Sequence, residues 1–428
     1  MTTLRTTYCV TLFAAIAATC AAEEPSLVHT RLFENGKLEN GQDAFYRIPA
    51  LAIAKDGTIL AFANVRVGTA RDHCTYVQCV MRRSKDNGKT WEPIRTLFDR
   101  PGWTGGNCAA VADPETGEIM FEVHCRPASA EAKKAYAESP EPKEPSGAVI
   151  ARSRDNGETW TFEQMIIEPN RHGMIGFSGG SASGIVLKQG PKKGRLLLPA
   201  RSGYKHQGYN CALYSDDHGK TWKASGFVPG GEGAVTELSD GRLYFNSRIG
   251  PEGWRLRAIS NDQGETYGDF GQSQWLRDCT VGTSDSLVSV PASVAGRHLV
   301  VFANPSFYRP RASYWDRRKM TASVSLDDAK TWPIKKTIFE GPSGYSASGL
   351  AADGSILVLY EKGENFYRDK GISIAKFNTA WLFDGKDPKE VTFPEDMKTP
   401  KQLDDIKKAE AAKKAEAEKK AKAEEESK

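Results

Sequence analysis

The chain contains Ser84-Lys-Asp-Asn-Gly-Lys-Thr-Trp91, an eight-residue pattern that recurs four more times. The later copies keep the form Ser-x-Asp-x-Gly-x-Thr-aromatic, except that the last has alanine in place of glycine: Ser153-Arg-Asp-Asn-Gly-Glu-Thr-Trp160, Ser215-Asp-Asp-His-Gly-Lys-Thr-Trp222, Ser260-Asn-Asp-Gln-Gly-Glu-Thr-Tyr267 and Ser325-Leu-Asp-Asp-Ala-Lys-Thr-Trp332. In such a stretch Asp and Asn side chains bind their own backbone, glycine supplies a positive φ, and the aromatic residue packs beneath the turn. The pattern therefore predicts five hairpin turns rather than five reactive sites.

The spacing of these turns predicts the architecture. Successive copies begin roughly 45 to 70 residues apart, which leaves room for about four short strands each. The segments between them include short β-rich runs bounded by Gly, Asp or Pro, such as Ile48 to Ala54, Thr58 to Ala63 and Arg195 to Ala200. Repeated four-stranded units of this kind are typical of the blades of a β-propeller.

Composition and charge narrow the range of functions. The 428 residues are 39% hydrophobic and 26% charged, which is ordinary for a globular protein and excludes a fibrous or wholly disordered chain. The net charge of +4 comes from 58 basic and 54 acidic residues, a balance that argues against nucleic acid as a partner. Neither the seven His nor the Cys residues show metal-ligand spacing, so we expect no metal and no cofactor.

The two ends of the chain differ from the rest. Residues 1–22 combine a cationic Arg5, an apolar stretch from Tyr8 to Ala18 and small residues at Cys20 and Ala22, which is typical of a cleaved secretory signal. A lipid anchor on Cys20 is the less favoured alternative. We expect a secreted or periplasmic protein with no membrane span, a propeller domain over residues 23–387, and an Ala/Lys/Glu-rich tail over 388–428 that is partly helical or disordered.

Six cysteines remain after removal of the predicted signal: Cys74, Cys79, Cys108, Cys125, Cys211 and Cys279. An even number in an exported chain makes disulfides plausible. The pairs expected from spacing are Cys74 with Cys79 and Cys108 with Cys125, the second because a turn could join two strand-like runs that contain them.

One further motif makes the comparison with a family specific. The segment Phe45-Tyr46-Arg47-Ile48-Pro49 precedes a strand-like run and is followed by the five repeated turns. Together they resemble the bacterial exo-α-sialidase (neuraminidase) family, and the likeness extends from about Leu27 to Phe383. The resemblance implies an all-β, six-bladed β-propeller of the sialidase type, with residues 23–387 as its catalytic domain.

The resemblance also implies a site. Three arginines would hold the substrate carboxylate, an aspartate would act as acid and base, and a glutamate would activate a tyrosine nucleophile; in this chain these match Arg47, Arg248, Arg317, Asp72, Glu232 and Tyr345. The segments around two of these residues depart from the family pattern, namely Arg71-Asp72-His73-Cys74 and Gly231-Glu232-Gly233. Three other arginines compete with Arg317 for the third position: Arg309, Arg311 and Arg318.

The chemistry explains why these residue types belong together. A sialic acid carries its carboxylate on the anomeric carbon, so its site needs fixed positive charge, and guanidinium groups provide planar, permanently charged donors. A carboxylate nucleophile would be repelled by the substrate carboxylate, whereas a tyrosine is neutral until it attacks and needs a base to take its proton. Singly, each residue has a structural alternative, such as a loop cap for Asp72 or a packing aromatic for Tyr345. Their joint occurrence at the expected offsets favours a site.

The sequence therefore predicts an exo-α-sialidase that hydrolyses terminal sialic acid from glycoproteins, glycolipids or oligosaccharides with retention of configuration and without a cofactor. Three alternatives stay open: an intramolecular trans-sialidase, a hydrolase of a related nonulosonic acid, and a non-catalytic propeller that binds sialic acid.

Overall fold

The computed structural model describes residues 23–72, 76–101, 103–127, 147–170, 172–180, 182–204, 207–248, 253–309, 316–394 and 396–426. The predicted signal (1–22), Cys74, the segment from Ala128 to Glu144 and Arg311 lie outside these residues. The described chain is mostly β-strand, as predicted. Its strands are β1 (Leu27–Glu34), β2 (Gly36–Lys37), β3 (Asp43–Ile53), β4 (Ile59–Val67), β5 (Tyr76–Ser84), β6 (Arg95–Pro101), β7 (Trp103–Ala112), β8 (Ile119–Pro127), β9 (Gly147–Ser153), β10 (Thr161–Gln164), β11 (Ile175–Gly179), β12 (Ala182–Ser183), β13 (Ile185–Val186), β14 (Leu196–Tyr204), β15 (Gln207–Ser215), β16 (Lys223–Ala224), β17 (Gly233–Glu237), β18 (Leu243–Ser247), β19 (Trp254–Ser260), β20 (Gly268–Arg277), β21 (Ser286–Val290), β22 (Leu299–Pro305), β23 (Arg318–Ser325), β24 (Ile334–Leu350), β25 (Ile356–Lys362) and β26 (Gly371–Phe377).

The strands form six units around one axis, and all neighbouring strands are antiparallel except β12, which pairs parallel with β7. Four units are separate sheets with the strand orders β2-β3-β4-β5-β6, β10-β9-β8-β7-β12, β11-β14-β15-β16 and β17-β18-β19-β20, and β13 pairs with β14 beside the third. The other two units form a seven-stranded sheet, β1-β26-β25-β24-β23-β22-β21. In that sheet the long strand β24 pairs with β23 up to Pro342 and with β25 from Ser343 onward, so it is the outer strand of one blade and the inner strand of the next. The predicted six-bladed β-propeller is confirmed.

The ring is closed by strands from the two ends of the propeller. β1 pairs antiparallel with β26, with Leu27 opposite Phe377 and Glu34 opposite Gly371. This pairing explains why six blades carry only five repeated turns. Each turn begins at the last residue of the third strand of a blade and leads to the fourth, but in the last blade the fourth strand comes from the other end of the chain, so that blade has no hairpin at this position.

Apolar side chains from neighbouring blades pack between the sheets. One such cluster joins the first and last blades through residues including Leu51, Ala61 and Leu359, and another joins the first two blades through Phe62 and Phe121, whose rings stack at 4.6 Å. Burial of these faces removes apolar area from water, which supplies the main favourable free energy of folding. The blades are thereby held at fixed angles, and their inner strands place side chains around one axis.

Helices are few. They are α1 (Ala292–Ala295), α2 (Thr379–Leu382), a 3-10 helix (Pro388–Glu390) and α3 (Pro400–Glu426). Helix α3 is mostly exposed and is tied to the propeller by an ion pair of 2.7 Å between Arg277 and Asp404. None of the described helices has the length and apolar character needed to cross a membrane.

The disulfide expected between Cys108 and Cys125 is wrong. Both residues are buried and neither forms a disulfide, and the same holds for Cys79, Cys211 and Cys279. The register explains the error, because Cys125 lies opposite Gly105 and Cys108 lies opposite Val123 across a bulged pair of strands. Sequence spacing located the two strands but not the register that decides which side chains face each other.

Candidate active site

The six predicted site residues lie at one end of the propeller axis. Arg47 is near the start of the inner strand β3, Glu232 directly precedes the inner strand β17, and Tyr345 lies on β24 just after it enters the last blade. The other three, Asp72, Arg248 and Arg317, lie at strand ends or in the connections on this side. In each blade the first strand starts and the second strand ends on the same face of the propeller. Residues far apart in sequence therefore meet at this face.

Tyr345, Glu232 and Arg248 form a closed triangle of hydrogen bonds. The Tyr345 hydroxyl donates to Glu232 Oε2 at 2.5 Å, and Arg248 Nη1 donates to Tyr345 Oη at 3.0 Å. Arg248 Nη1 also lies 2.7 Å from Glu232 Oε2. Tyr345 is 7% exposed and Glu232 is 5% exposed, so this network is largely shielded from water.

The charges in this triangle place the proton on the tyrosine. Burial acts to raise the pKa of Glu232, but the guanidinium of Arg248 and the hydrogen bond from Tyr345 outweigh it and lower the pKa. Burial raises the pKa of Tyr345 above its ordinary value, although Arg248 opposes this shift. At neutral pH the phenol is therefore protonated and the carboxylate beside it is free to accept that proton.

The glycines on either side of Glu232 are required by close approach of the backbone. A Cβ at residue 231 would lie 2.8 Å from Arg248 Nε, and a Cβ at residue 233 would lie 2.3 Å from the carbonyl oxygen of Asn246. The backbone is also fixed by hydrogen bonds, since Arg248 N donates to Glu232 O and Gly231 N donates to Arg248 O. The departure from the family pattern at Gly231-Glu232-Gly233 thus does not leave the glutamate on a loose segment.

Arg47 is held by a carboxylate that the sequence analysis did not single out. Glu361, on β25, is 0% exposed and accepts from Arg47 Nε at 2.8 Å and from Nη2 at 3.2 Å. The same carboxylate accepts from the backbone amides of Ile48 and Tyr345, both at 3.2 Å. Ile48 has a φ of 56°, a region that a β-branched residue rarely adopts, so Glu361 stabilises a strained bulge as well as an arginine.

Asp72 bridges two arginines. Its Oδ1 accepts from Arg66 Nη1 at 2.6 Å and from Arg47 Nη1 at 3.1 Å, while its side chain is 66% exposed. Partial burial acts to raise the pKa of Asp72, but the charges of Arg66 and Arg47 dominate and lower the pKa to about 2. In the absence of substrate, Asp72 is therefore an anion at neutral pH.

Arg317 lies in the fifth blade and completes the set of three arginines. Its Nη2 donates to the carbonyl of Gly282 at 2.8 Å, and its guanidinium lies 5.5 Å from the ring centre of Tyr345 and 4.8 Å from that of Tyr367. Arg47 approaches the same two rings at 5.8 and 5.2 Å. The buried Tyr367 ring thus lies beside both guanidinium groups, which it holds apart through cation–π contacts.

The described rivals of Arg317 are engaged elsewhere. Arg318 is 46% exposed in its side chain and pairs with Asp316 at 2.9 Å, and the Arg309 backbone exchanges hydrogen bonds with the hydroxyl of Thr280. Arg311 lies outside the described residues.

A second charged cluster lies beneath Arg248. Arg255, which is fully buried, donates through Nη1 to Asp278 at 3.0 Å and to Asp285 at 2.8 Å. Burial raises the pKa of both carboxyls, and the guanidinium of Arg255 opposes that shift. This cluster supports the segment around Gly282, where a Cβ would lie 3.0 Å from the Arg248 side chain.

Sequence reasoning missed the partners of the predicted residues. Arg66 stands six positions before Asp72, and Glu361 directly follows the apolar run from Ile356 to Tyr360. A charged residue at the end of a buried strand was the one available signal, and it did not indicate which distant residue it would bind. No group of three or more His, Cys, Asp or Glu suited to a metal occurs among the described residues.

The fold and the site together define a class: a six-bladed β-propeller in which three arginines lie around a tyrosine–glutamate pair. The model of the BNR repeat-like domain matches residues 99–358. The chain is 33% identical over 369 residues to a sialidase of Micromonospora viridifaciens, which covers 80% of this chain and 53% of that protein. It is 31% identical over 352 residues to a sialidase of Paraclostridium sordellii, which covers 76% of this chain and 83% of that protein.

The chain thus belongs to the sialidase family of BNR-repeat proteins. A solved structure of the Hadza microbial sialidase Hz136 is 25% identical, with a TM-score of 0.64 over 79% of this chain and 66% of that one. The intramolecular trans-sialidase from Ruminococcus gnavus shares the fold at 18% identity, with the same TM-score over 79% of this chain and 95% of that one. The chain spans 53% and 60% of the lengths of the Micromonospora viridifaciens and Bacteroides fragilis sialidases.

Proposed function

We propose that this protein is an exo-α-sialidase that hydrolyses terminal α-linked sialic acid with net retention of configuration. One observation carries the proposal: the Tyr345 hydroxyl donates at 2.5 Å to Glu232, beside three arginines whose guanidinium groups surround the tyrosine ring. A nucleophile hydrogen-bonded to its own base is the arrangement that covalent catalysis needs. The 33% identity to a sialidase supports the same activity.

In the first displacement the substrate carboxylate binds Arg47, Arg248 and Arg317, which fixes the anomeric carbon above Tyr345. The phenol oxygen forms a bond to that carbon while its proton passes to Glu232. The bond to the departing oxygen breaks, and Asp72 gives that oxygen a proton. The result is a glycosyl–tyrosine intermediate and a free aglycone.

In the second displacement Asp72, now ionised, takes a proton from water as the water oxygen attacks the anomeric carbon. The bond to Tyr345 breaks and Glu232 returns the proton to the phenolate. Two inversions give net retention, and both carboxyl groups end in their original protonation states.

The acid role of Asp72 requires a change on binding, because the pKa of Asp72 is about 2 without substrate. Arg47 donates to Asp72 through Nη1 and to Glu361 through its other two donors. A substrate carboxylate that binds Nη1 would compete with Asp72 for this donor and add negative charge beside it. Both effects raise the pKa of Asp72 when the site is filled.

The proposed substrates are sialylated glycoproteins, glycolipids or oligosaccharides, since an exo-acting enzyme cleaves the terminal sugar that all three classes carry. We also infer export from the cell, on the sequence pattern of residues 1–22.

The test combines turnover, binding and product analysis. Tyr345→Phe should lower kcat for an aryl α-sialoside by about 10³-fold or more, because only the nucleophilic hydroxyl is lost, while a sialic-acid analogue still binds. Tyr360→Phe is the matched control, since it removes a buried hydroxyl that contacts His29 instead. Full activity of Tyr345→Phe would eliminate Tyr345 as nucleophile.

Proton NMR of the wild-type reaction distinguishes the products. The α-anomer of free sialic acid should appear first. An anhydro sugar would identify an intramolecular trans-sialidase, and binding without any release would identify a non-catalytic propeller.

A further inference from the structure

The net positive charge around Tyr345 is larger than the carboxylate of one substrate can neutralise. The residues in direct contact there are four guanidiniums and three carboxylates: Arg47, Arg66, Arg248, Arg317, Asp72, Glu232 and Glu361. This set carries one excess positive charge, which the carboxylate of a single sialic acid balances. Two further cations act on the same carboxylates, because Arg368 lowers the pKa of Asp72 and Arg201 lowers the pKa of Glu232.

Arg201 occupies a position that recurs in the propeller. It lies near the end of β14, the second long strand of the third blade. The equivalent places in two other blades hold site residues, since Arg66 is near the end of β4 and Arg248 directly follows β18. The topology therefore brings Arg201 to the same face of the molecule as these two arginines.

Arg201 differs from these arginines in its contacts. Arg66 is paired with Asp72 and Arg248 with Glu232. Within the described residues Arg201 makes no ion pair and no side-chain hydrogen bond, and its Nε is buried without an acceptor. The guanidinium lies along the backbone of Gly208, where a Cβ would come within 3.0 Å of Nη2.

A partly buried guanidinium whose Nε has no hydrogen-bond acceptor among the described residues is costly, because it has lost water without gaining an acceptor. The cost is offset if a ligand supplies the acceptor. A planar guanidinium matches carboxylate and sulfate oxygens in two parallel hydrogen bonds, and such charge-assisted bonds are stronger than those to neutral hydroxyls.

We propose that Arg201 forms an anion subsite beside the carboxylate clamp, which binds a second oxyanion of the substrate. This inference rests on the proposed sialidase activity and extends it to substrate choice. The oxyanion is either the carboxylate of an adjoining nonulosonic acid or a sulfate ester on the adjoining sugar. The site thus favours dianionic over monoanionic sialosides.

The experiment compares three substrates of the full chain: sialyllactose, α2,8-disialyllactose, and a sialyllactose with a sulfate ester on galactose. The readout is the ratio of kcat/KM for each dianionic substrate to kcat/KM for sialyllactose. This ratio cancels any general effect of Arg201 on Glu232. In wild type at least one ratio should exceed unity and fall as NaCl is raised.

Arg201→Gln should lower that ratio by about tenfold or more, and Arg201→Lys should lower it less because the charge remains. Arg257→Gln is the matched control, since Arg257 pairs with the exposed Asp269. A fall confined to the disialyl substrate identifies the carboxylate as the ligand, and a fall confined to the sulfated one identifies sulfate.

Two results would overturn the proposal, and they are distinguishable. If wild type hydrolyses sialyllactose but the ratios are the same in wild type and Arg201→Gln, the anion subsite is wrong and the sialidase activity stands. If the folded wild type hydrolyses none of the three substrates, the proposed function fails and the subsite with it.

Discussion

The repeated turns and the candidate site satisfy their polar groups in different ways. The bonds that define each turn are local: in the first copy Ser84 Oγ donates to Asp86, Gly88 N donates to Ser84 Oγ, and Thr90 donates to Asp86 through both its amide and its hydroxyl. The other four copies repeat these contacts.

In the site, two central pairs are distant in sequence. Tyr345 and Glu232 are 113 residues apart, and Arg47 and Glu361 are 314 apart. The bonds within a turn can therefore form in a single blade, whereas these two pairs exist only when the whole ring has closed. Substitutions on the two faces should therefore separate stability from activity.

The largest effect is expected on the site face, at the carboxylate that binds Arg47. Glu361→Gln keeps the shape of the side chain but removes the charge that Arg47 requires, and it places an amide against guanidinium donors. We expect kcat/KM to fall by about 10²-fold or more and thermal stability to drop, because breaking a buried ion pair costs about 3–5 kcal/mol. Steady-state kinetics and thermal denaturation measure both.

The control for this variant is Glu364→Gln, which removes an exposed pair with Lys370 nearby. Equal losses in the two variants would show that the buried carboxylate has no special role in holding Arg47.

Glu122 tests the interior between the faces, where a carboxyl lies against the backbone of Gly179 and has no ion-pair partner among the described residues. It is 1% exposed, and none of the described residues donates a well-formed hydrogen bond to either oxygen. Burial raises the pKa of Glu122 to about 8. The folded state therefore holds this proton more tightly than the unfolded state, so stability falls as pH rises between about 4.5 and 8.

Glu122→Gln removes this dependence. Relative to wild type the variant should gain about 3 kcal/mol between pH 5 and pH 8, as measured by urea denaturation at each pH. Parallel stability curves for the two proteins would show that the carboxyl titrates normally.

A smaller effect is expected in one of the repeated turns. Asp155 accepts from Ser153, from the amides of Glu158 and Thr159, and from the Thr159 hydroxyl. Asp155→Ala should cost about 1–2 kcal/mol of unfolding free energy, comparable to the loss of a helix cap, without a change in KM. A change in KM at unchanged stability would contradict the separation of the two faces.

The smallest effect is expected at the fifth turn, where Ala329 takes the place of glycine with a φ of 62°. Ala329→Gly relieves a left-handed alanine, worth about 1 kcal/mol, but loses a buried methyl group of similar value. The free energy of unfolding should therefore change by less than about 0.5 kcal/mol in denaturant titrations. A change above about 1.5 kcal/mol in either direction would show that one of the two contributions dominates.

The amino-acid pattern was enough to predict the blades. Each repeated turn is complete within eight residues, so its recurrence was sufficient to predict a propeller. The resemblance added the six candidate residues, which the structure brings to one face of the ring.

The surroundings of these residues could be seen only in the folded ring. The positions of Glu361 beneath Arg47, of Arg66 beside Asp72, of the buried carboxyl of Glu122 and of the guanidinium of Arg201, and the absence of a disulfide between Cys108 and Cys125, all depend on strand register and on which blades meet. The physical reason is the distance along the chain between the residues that interact. A turn is stabilised by neighbours in the chain, which the sequence displays side by side, whereas a buried charge takes its partner from wherever the closed ring of sheets places one.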